Sequence, residues 1–178
     1  MTVALLALVV VLAVAVVVLA VPALRPAGLR QRRSSPPAAV GSGRILFPFG
    51  APGPTSRALD VALRLARNES GTLVPVFLAR VALDLPLDAP LPRQSRIAIP
   101  LQEAVEQRAA SFEVPVDARI ERGRSYRHAL RQMIDHESYD RLVVAAWAKG
   151  GGGFDPEDIA WLLRNAPGEI IVLRPSGN

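Results

Sequence analysis

Cysteine is absent from the 178 residues. Disulfides, thiol nucleophiles and cysteine-ligated metals are therefore excluded, and the chain suits a reducing compartment. Histidine is scarce. His128 and His136 stand eight residues apart in one helical segment, a poor spacing for a shared metal compared with i, i+4. Both read as solvated helix residues. Aromatic residues make up only 5% of the chain, and no basic face interleaved with aromatics is visible, so nucleic-acid binding is not expected. No Ser-His-Asp arrangement, zinc spacing or nucleophile elbow is present. Catalysis is accordingly not expected, with weak hydrolysis as the one activity left open.

Lysine occurs once, at Lys149, so the positive charge is almost all arginine. The formal net charge of +5 suggests an anionic partner until it is mapped along the chain. Arg25, Arg30, Arg32 and Arg33 carry four of those charges, and from Arg44 onward 17 basic residues face 16 acidic ones, leaving +1. The excess lies beside a feature of another kind.

From Val3 to Val21 the sequence is an unbroken run of Ala, Val and Leu. As a helix it would span roughly 28 Å, close to the hydrocarbon thickness of a bilayer. A helix satisfies its own backbone in lipid. Residues 1–24 are therefore expected to form a single membrane anchor. The arginines that follow place the N-terminus outside and the remainder in the cytoplasm. A cleaved secretory signal would carry a basic n-region and a shorter apolar core, neither of which is seen. Residues 25–43, rich in Arg, Pro, Ser and Gly, read as a linker. Residues 44–178 suffice for one domain with a real core.

Within that domain, strand and helix patterns alternate, as in an α/β fold with a parallel sheet. The expected strands are Ile45–Phe49, Leu73–Val81, Val114–Ile120, Leu142–Ala146 and Glu169–Leu173. The first helix is expected over Thr55–Asn68, with Leu59, Ala62, Leu63 and Ala66 inward and Asp60 paired to Arg64 at i, i+4. Gly71 reads as its stop. The Pro-rich stretch 84–100 reads as a loop, followed by a helix over Leu101–Phe112 with Leu101, Val105, Ala109 and Phe112 inward. Gly123 and Ser125 open a third helix that turns Ala129, Leu130, Met133 and Ile134 to the core. The fourth begins with Asp155 as N-cap, Pro156 at the first helical position, then Glu157 and Asp158. Right-handed crossovers make this a doubly wound, Rossmann-like sheet, with a ligand crevice beyond the carboxyl ends of the strands. The loops after the first and fourth strands are its expected walls.

Three segments resemble the universal stress proteins. Ile45-Leu46-Phe47-Pro48-Phe49 is similar to that family's I-L-V-P-V-D-G. Tyr139-Asp140-Arg141-Leu142-Val143-Val144 is similar to its A-D-L-I-V. Leu163-Arg164-Asn165-Ala166-Pro167, followed by Ile170-Ile171-Val172-Leu173-Arg174-Pro175, is similar to its V-L-R-H-A-P-C-P-V-L-V-V-R-P. The resemblance covers about residues 44–175. It implies a five-stranded parallel sheet of order 3-2-1-4-5 and a homodimer paired through Ile170, Ile171, Val172 and Leu173. It also implies ATP or AMP bound by G-x-x-G-x9-G-[ST] after the fourth strand, with an Asp at the end of the first.

The chain departs from that nucleotide pattern. Gly50 stands where the family has Asp. Gly150 and Gly153 supply only the first half of the glycine motif, and no hydroxyl follows at either alignment of the second half. Asp155, Glu157 and Asp158 crowd the helix N-terminus where phosphates would lie, and like charges disfavour one another. Lys149 is a single offset. Trp147 stands where the family has a small residue, and would either crowd the crevice or pack as a strand-end core aromatic. The crevice residues are thus Gly50, Lys149, Gly150 and Gly153, with no cofactor expected. ATP or AMP with Mg²⁺ bridging the carboxylates is the alternative. The expected function is a membrane-anchored regulatory or scaffold domain with degraded ATP binding, acting on a membrane partner such as a transporter. The alternative is an ATP- or AMP-binding switch at the membrane.

Overall fold

The computed structural model describes residues 43–146 and 153–174. Five strands and four helices alternate: β1 (Arg44–Phe49), α1 (Ser56–Asn68), β2 (Thr72–Arg80), α2 (Pro92–Ala110), β3 (Arg119–Gly123), α3 (Tyr126–His136), β4 (Arg141–Ala145), α4 (Pro156–Asn165) and β5 (Glu169–Leu173). The strands form one parallel sheet in the order β3-β2-β1-β4-β5, as the resemblance implies. The anchor expected at 1–24 and nearly all of the linker lie outside the described residues. Among the described residues no helix is long and apolar enough to cross a membrane.

Alternation along the central strands explains why they read as continuous apolar runs. Ile45, Phe47 and Phe49 of β1, with Leu73 and Phe77 of β2, face α1 and α2. Leu46, Val74, Val76 and Leu78 face α3 and α4. With helices on both faces, both sets of side chains are buried. The edge strand β5 is only half covered, and Val172 is 38% exposed.

Two prolines decide where the ladders run. In a parallel strand, alternate residues turn N–H and C=O toward alternate neighbours. Asp140 N–H bonds to the Arg44 carbonyl and Thr72 N–H to the Gly43 carbonyl, so the even residues of β1 face β4. Pro48 therefore lacks the N–H that would continue toward β4, and the pairing ends at Leu46 and Leu142. The sheet parts on its carboxyl side at the strand-order reversal. Pro75 does the same on the other flank. Leu73 N–H bonds to the Pro115 carbonyl and Asp117 N–H to the Leu73 carbonyl, so Pro75 faces the third strand without a donor. An isolated Leu73–Val116 bridge precedes the gap and the ladder resumes at Val76–Arg119. The third strand thus begins at Arg119 and ends at Gly123, not at Val114 and Ile120 as the sequence alternation suggested.

Other expectations are corrected as well. Helix α2 takes in much of the stretch expected to be loop. Pro92 opens it, and Pro100 sits inside it. Arg96 and Pro100 are both exposed, so water can satisfy the carbonyl that the missing N–H leaves. The same helix ends at Ala110, which leaves Phe112 in the following turn beneath the Arg108 guanidinium, 5.2 Å from the ring centre. Asp60 is bonded to Arg108 of α2 through two hydrogen bonds of 2.9 and 3.1 Å, while the expected partner Arg64 acts on it through its charge alone. A planar guanidinium fits both carboxylate oxygens at once. Ser70, at φ 51°, takes the left-handed position after α1 that Gly71 was expected to fill. Gly71 is needed for a different reason: a Cβ there would lie 1.9 Å from the Gly43 carbonyl oxygen. Gly123 closes β3 rather than opening α3.

Candidate functional site

The carboxyl ends of β1 and β4, where Pro48 parts the sheet, meet the N-termini of α3 and α4. Ser125 caps α3, accepting the His128 N–H at 3.1 Å, while His128 Nδ1 accepts the Arg124 N–H at 3.1 Å. The two side chains satisfy the helix start reciprocally. His128 thus acts as a cap, and His136 lies 3.7 Å from Glu121. Among the described residues no group of His, Cys, Asp and Glu is arranged to hold a metal.

The start of α3 carries Tyr126 to the end of β1. A Cβ on Gly50 would lie 3.0 Å from Tyr126 Cε1 and 3.1 Å from its hydroxyl oxygen. The phenol ring therefore covers the point from which a residue-50 side chain would enter the crevice. The absence of a side chain at Gly50 and the presence of the ring are one arrangement.

Beyond Ala146 the chain returns at Phe154, whose N–H bonds to the Ala145 carbonyl at 2.8 Å. Phe154 is buried with Leu162 against the α3 face of the core, and Ile159 packs on the same cluster. Phe154 and Ile159 occupy the two positions of a hydrophobic staple around the Asp155 cap. This return sets the start of α4 beside the crevice.

That helix start is already occupied. Asp155 Oδ1 accepts the Asp158 N–H at 2.7 Å. Pro156 has no N–H, and the Ile159 N–H bonds within the helix to the Asp155 carbonyl. Of the first helical turn, only Glu157 is left to offer an N–H to a phosphate. Arg127 of α3 turns to the same carboxylates, with Nε donating to Asp158 at 2.9 Å and Nη2 lying 3.7 Å from Glu157. The bond to Asp158 holds the Arg127 guanidinium above its ordinary pKa. A cation at the start of a helix opposes the dipole, and here its partner is the acidic N-terminus of the neighbouring helix. Among the described residues the start of α4 is an ion-paired cluster of Arg127 with Asp158 and Glu157.

Of the expected crevice residues, Gly50 lies at the end of β1 and Gly153 just before the Phe154 return. Lys149, Gly150 and Trp147 lie outside the described residues. Tyr126, Arg127 and Phe154 were missed. The staple spacing marked Phe154, and a basic residue in the first turn of α3 marked Arg127. Tyr126 carries no such sign.

A second concavity of about 430 Å³ opens on the other face of the sheet, between α1 and α2. Pro52, Pro54, Leu101 and Val105 line it, and the Asp60–Arg108 pair closes one side. Gly53, at φ 134°, lets the turn after β1 pack on Leu101, where a Cβ would meet Cδ2 at 2.8 Å. The expected crevice shares with this cleft only the loop after β1.

No protein-family model matches the chain, and no curated protein matches its sequence. Solved structures do match its fold. A universal stress protein family member from Burkholderia pseudomallei is 19% identical, with a TM-score of 0.55, over 75% of this chain and 96% of that one. A universal stress protein solved in complex with cAMP is 17% identical, with a TM-score of 0.54, over 74% of this chain and 98% of that one. A universal stress protein family protein from Arabidopsis thaliana, solved with AMP bound, is 14% identical, with a TM-score of 0.53, over 75% of this chain and 92% of that one. Identities this low carry the fold, and binding has to be argued from the residues of this chain.

Proposed function

We propose that this chain is a membrane-anchored, universal-stress-type regulatory or scaffold domain in which the ATP seat has been lost. Residues 1–24 are the anchor, 25–43 the linker and 44–178 the domain, which lies on the cytoplasmic side. The observation that carries the reading is the start of α4: Pro156 offers no N–H, Asp158 has given its own to Asp155, and Asp158 and Glu157 are paired with Arg127. A triphosphate there would find one helical amide and three acid groups. The domain acts by contact rather than by chemistry, on a partner in the same membrane, with a transporter as the expected kind. Tethering raises its local concentration at such a partner without a large interface. A homodimer through Ile170, Ile171, Val172 and Leu173 is part of the proposal, supported by the position of β5 at the sheet edge.

One observation favours a second reading, an AMP- or ATP-responsive switch. Two of the structures that share the fold were solved with cAMP and AMP. A single phosphate needs fewer donors than three, so a monophosphate is the nucleotide this crevice would keep, with Gly50, Lys149, Gly150 and Gly153 around it. Gentle detergent purification followed by mass spectrometry of retained small molecules separates the two. The first reading expects the protein without nucleotide; stoichiometric AMP or ATP would establish the second. Sedimentation of the chain with membranes after an alkaline wash checks the anchor, and release to the supernatant would refute it.

A further inference from the structure

We infer that the loop between β2 and α2, with the first turns of α2, is a preformed surface for an anionic phospholipid bilayer. This stands apart from the nucleotide crevice and does not require residues 3–21 to span a membrane.

Among the described residues, four of the seven exposed large hydrophobic ones fall between positions 83 and 99: Leu83 at 85% exposure, Leu85 at 40%, Ile97 at 45% and Ile99 at 51%. Scattered singly they would need no explanation. Here they are grouped in sequence: Leu83 and Leu85 on a loop whose backbone is fastened from below, Ile97 and Ile99 on the two flanks of the buried Ala98 in α2. Arg124 Nη1 donates to the carbonyls of Ala82 and Leu85, and Arg122 Nη1 donates to those of Leu87 and Ala89 at 3.4 and 3.2 Å. Turn bonds join Leu85 N–H to the Ala82 carbonyl and Ala89 N–H to that of Pro86. Gln94 ties the start of α2 to the Arg80 carbonyl at 2.9 Å. Two guanidinium groups thus hold four carbonyls while the leucines point outward.

This arrangement suits a lipid interface in two respects. A loop that reaches the acyl boundary beneath the headgroups loses water partners for its carbonyls, and these already have partners within the protein. The charge is also of the right sign. Arg80, Arg93 and Arg96 are exposed on the segment, Arg122 and Arg124 lie beneath it, and Asp84 and Asp88 oppose them, a balance of five against two or +3. The domain from Arg44 onward carries only +1, as 17 less 16, so its basic excess is gathered here. Exposed apolar side chains on a segment with a basic excess bind anionic headgroups by burial and charge together.

The absence of cysteine makes the test direct. Leu83→Cys and Ile97→Cys, with Ser111→Cys at the far end of α2 as reference, each accept one fluorophore in the full chain. The labelled proteins are mixed with vesicles of phosphatidylcholine, with or without phosphatidylglycerol, and quenched by spin-labelled lipid. The proposal expects strong quenching at positions 83 and 97 and little at 111, only when phosphatidylglycerol is present. Arg93→Gln with Arg96→Gln should weaken it by about fivefold for each arginine removed. Vesicle-bound protein whose labels at 83 and 97 remain as open to an aqueous quencher as that at 111 overturns the proposal alone. Equal quenching in pure phosphatidylcholine overturns the anionic assignment. Concentration-dependent shielding of position 83 without lipid makes the surface a self-association site and overturns it too. Protein that fails to float with either vesicle overturns this proposal together with the anchor.

Discussion

The Tyr126 ring lies over Gly50, with its Cε1 atom 3.0 Å from where a Cβ on residue 50 would sit. The end of β1, which in the resembling family projects an Asp into the crevice, here abuts a phenol from α3. Gly50 does not adopt a left-handed φ, so an alanine there meets the ring and no backbone penalty. Gly50→Ala should cost about 1 kcal/mol, as small overpacking does. In a Tyr126→Ala background the same change should be neutral or slightly stabilising, because alanine restricts the unfolded chain. A double-mutant cycle in thermal denaturation reads the coupling directly.

Tyr139 has its hydroxyl buried without a hydrogen-bond partner among the described residues. Burial pushes its pKa up to about 12. Tyr139→Phe removes a desolvated polar atom and should stabilise the domain by about 1 kcal/mol. The pH dependence has a definite sign. A phenol whose folded pKa exceeds its unfolded value of 10.0 favours the unfolded state as pH rises from there toward 12. The wild-type protein should therefore lose stability over that range relative to Tyr139→Phe, as denaturation at a series of alkaline pH values would show.

The Asp60–Arg108 fork ties α1 to α2 beside the cleft. Its hydrogen bonds, and then its charge, hold the Asp60 carboxyl below 3.8. A lowered folded pKa contributes stability above the unfolded value that is lost as pH falls through the folded one. Asp60→Asn should therefore be less stable than wild type at neutral pH, and the difference should vanish in strong acid. Urea midpoints at neutral and acid pH measure it.

Strand β5 leaves one edge of the sheet without a strand partner among the described residues, and Val172 is 38% exposed beside it. Val172→Arg places a charge at that edge. If two copies pair there, detergent-corrected light scattering should show the wild type at twice the monomer mass and the variant at the monomer mass.

The fold was legible in the sequence wherever apolar periodicity governed it. The inward residues of α1 and α3, the bounds of β5 and the Asp155-Pro156 start of α4 all follow from residue pattern and capping chemistry. Proline misled in opposite directions. Pro100 suggested a loop, but it stands on the exposed side of α2 and is tolerated there. Pro75 stands inside an apolar run, yet its missing donor interrupts the pairing with β3. Which neighbour a strand proline faces depends on register, and register depends on the whole sheet. The acidic start of α4 was visible. Its pairing with Arg127 was not, because that contact joins residues 31 positions apart.

The central claim concerns phosphate. Isothermal titration of the purified full chain with Mg-ATP tests it most directly. Because the first turn of α4 offers only the Glu157 amide, and Asp158 and Glu157 are paired with Arg127, the account predicts binding weaker than about 1 mM. Saturable, stoichiometric binding of Mg-ATP at micromolar concentration would contradict it.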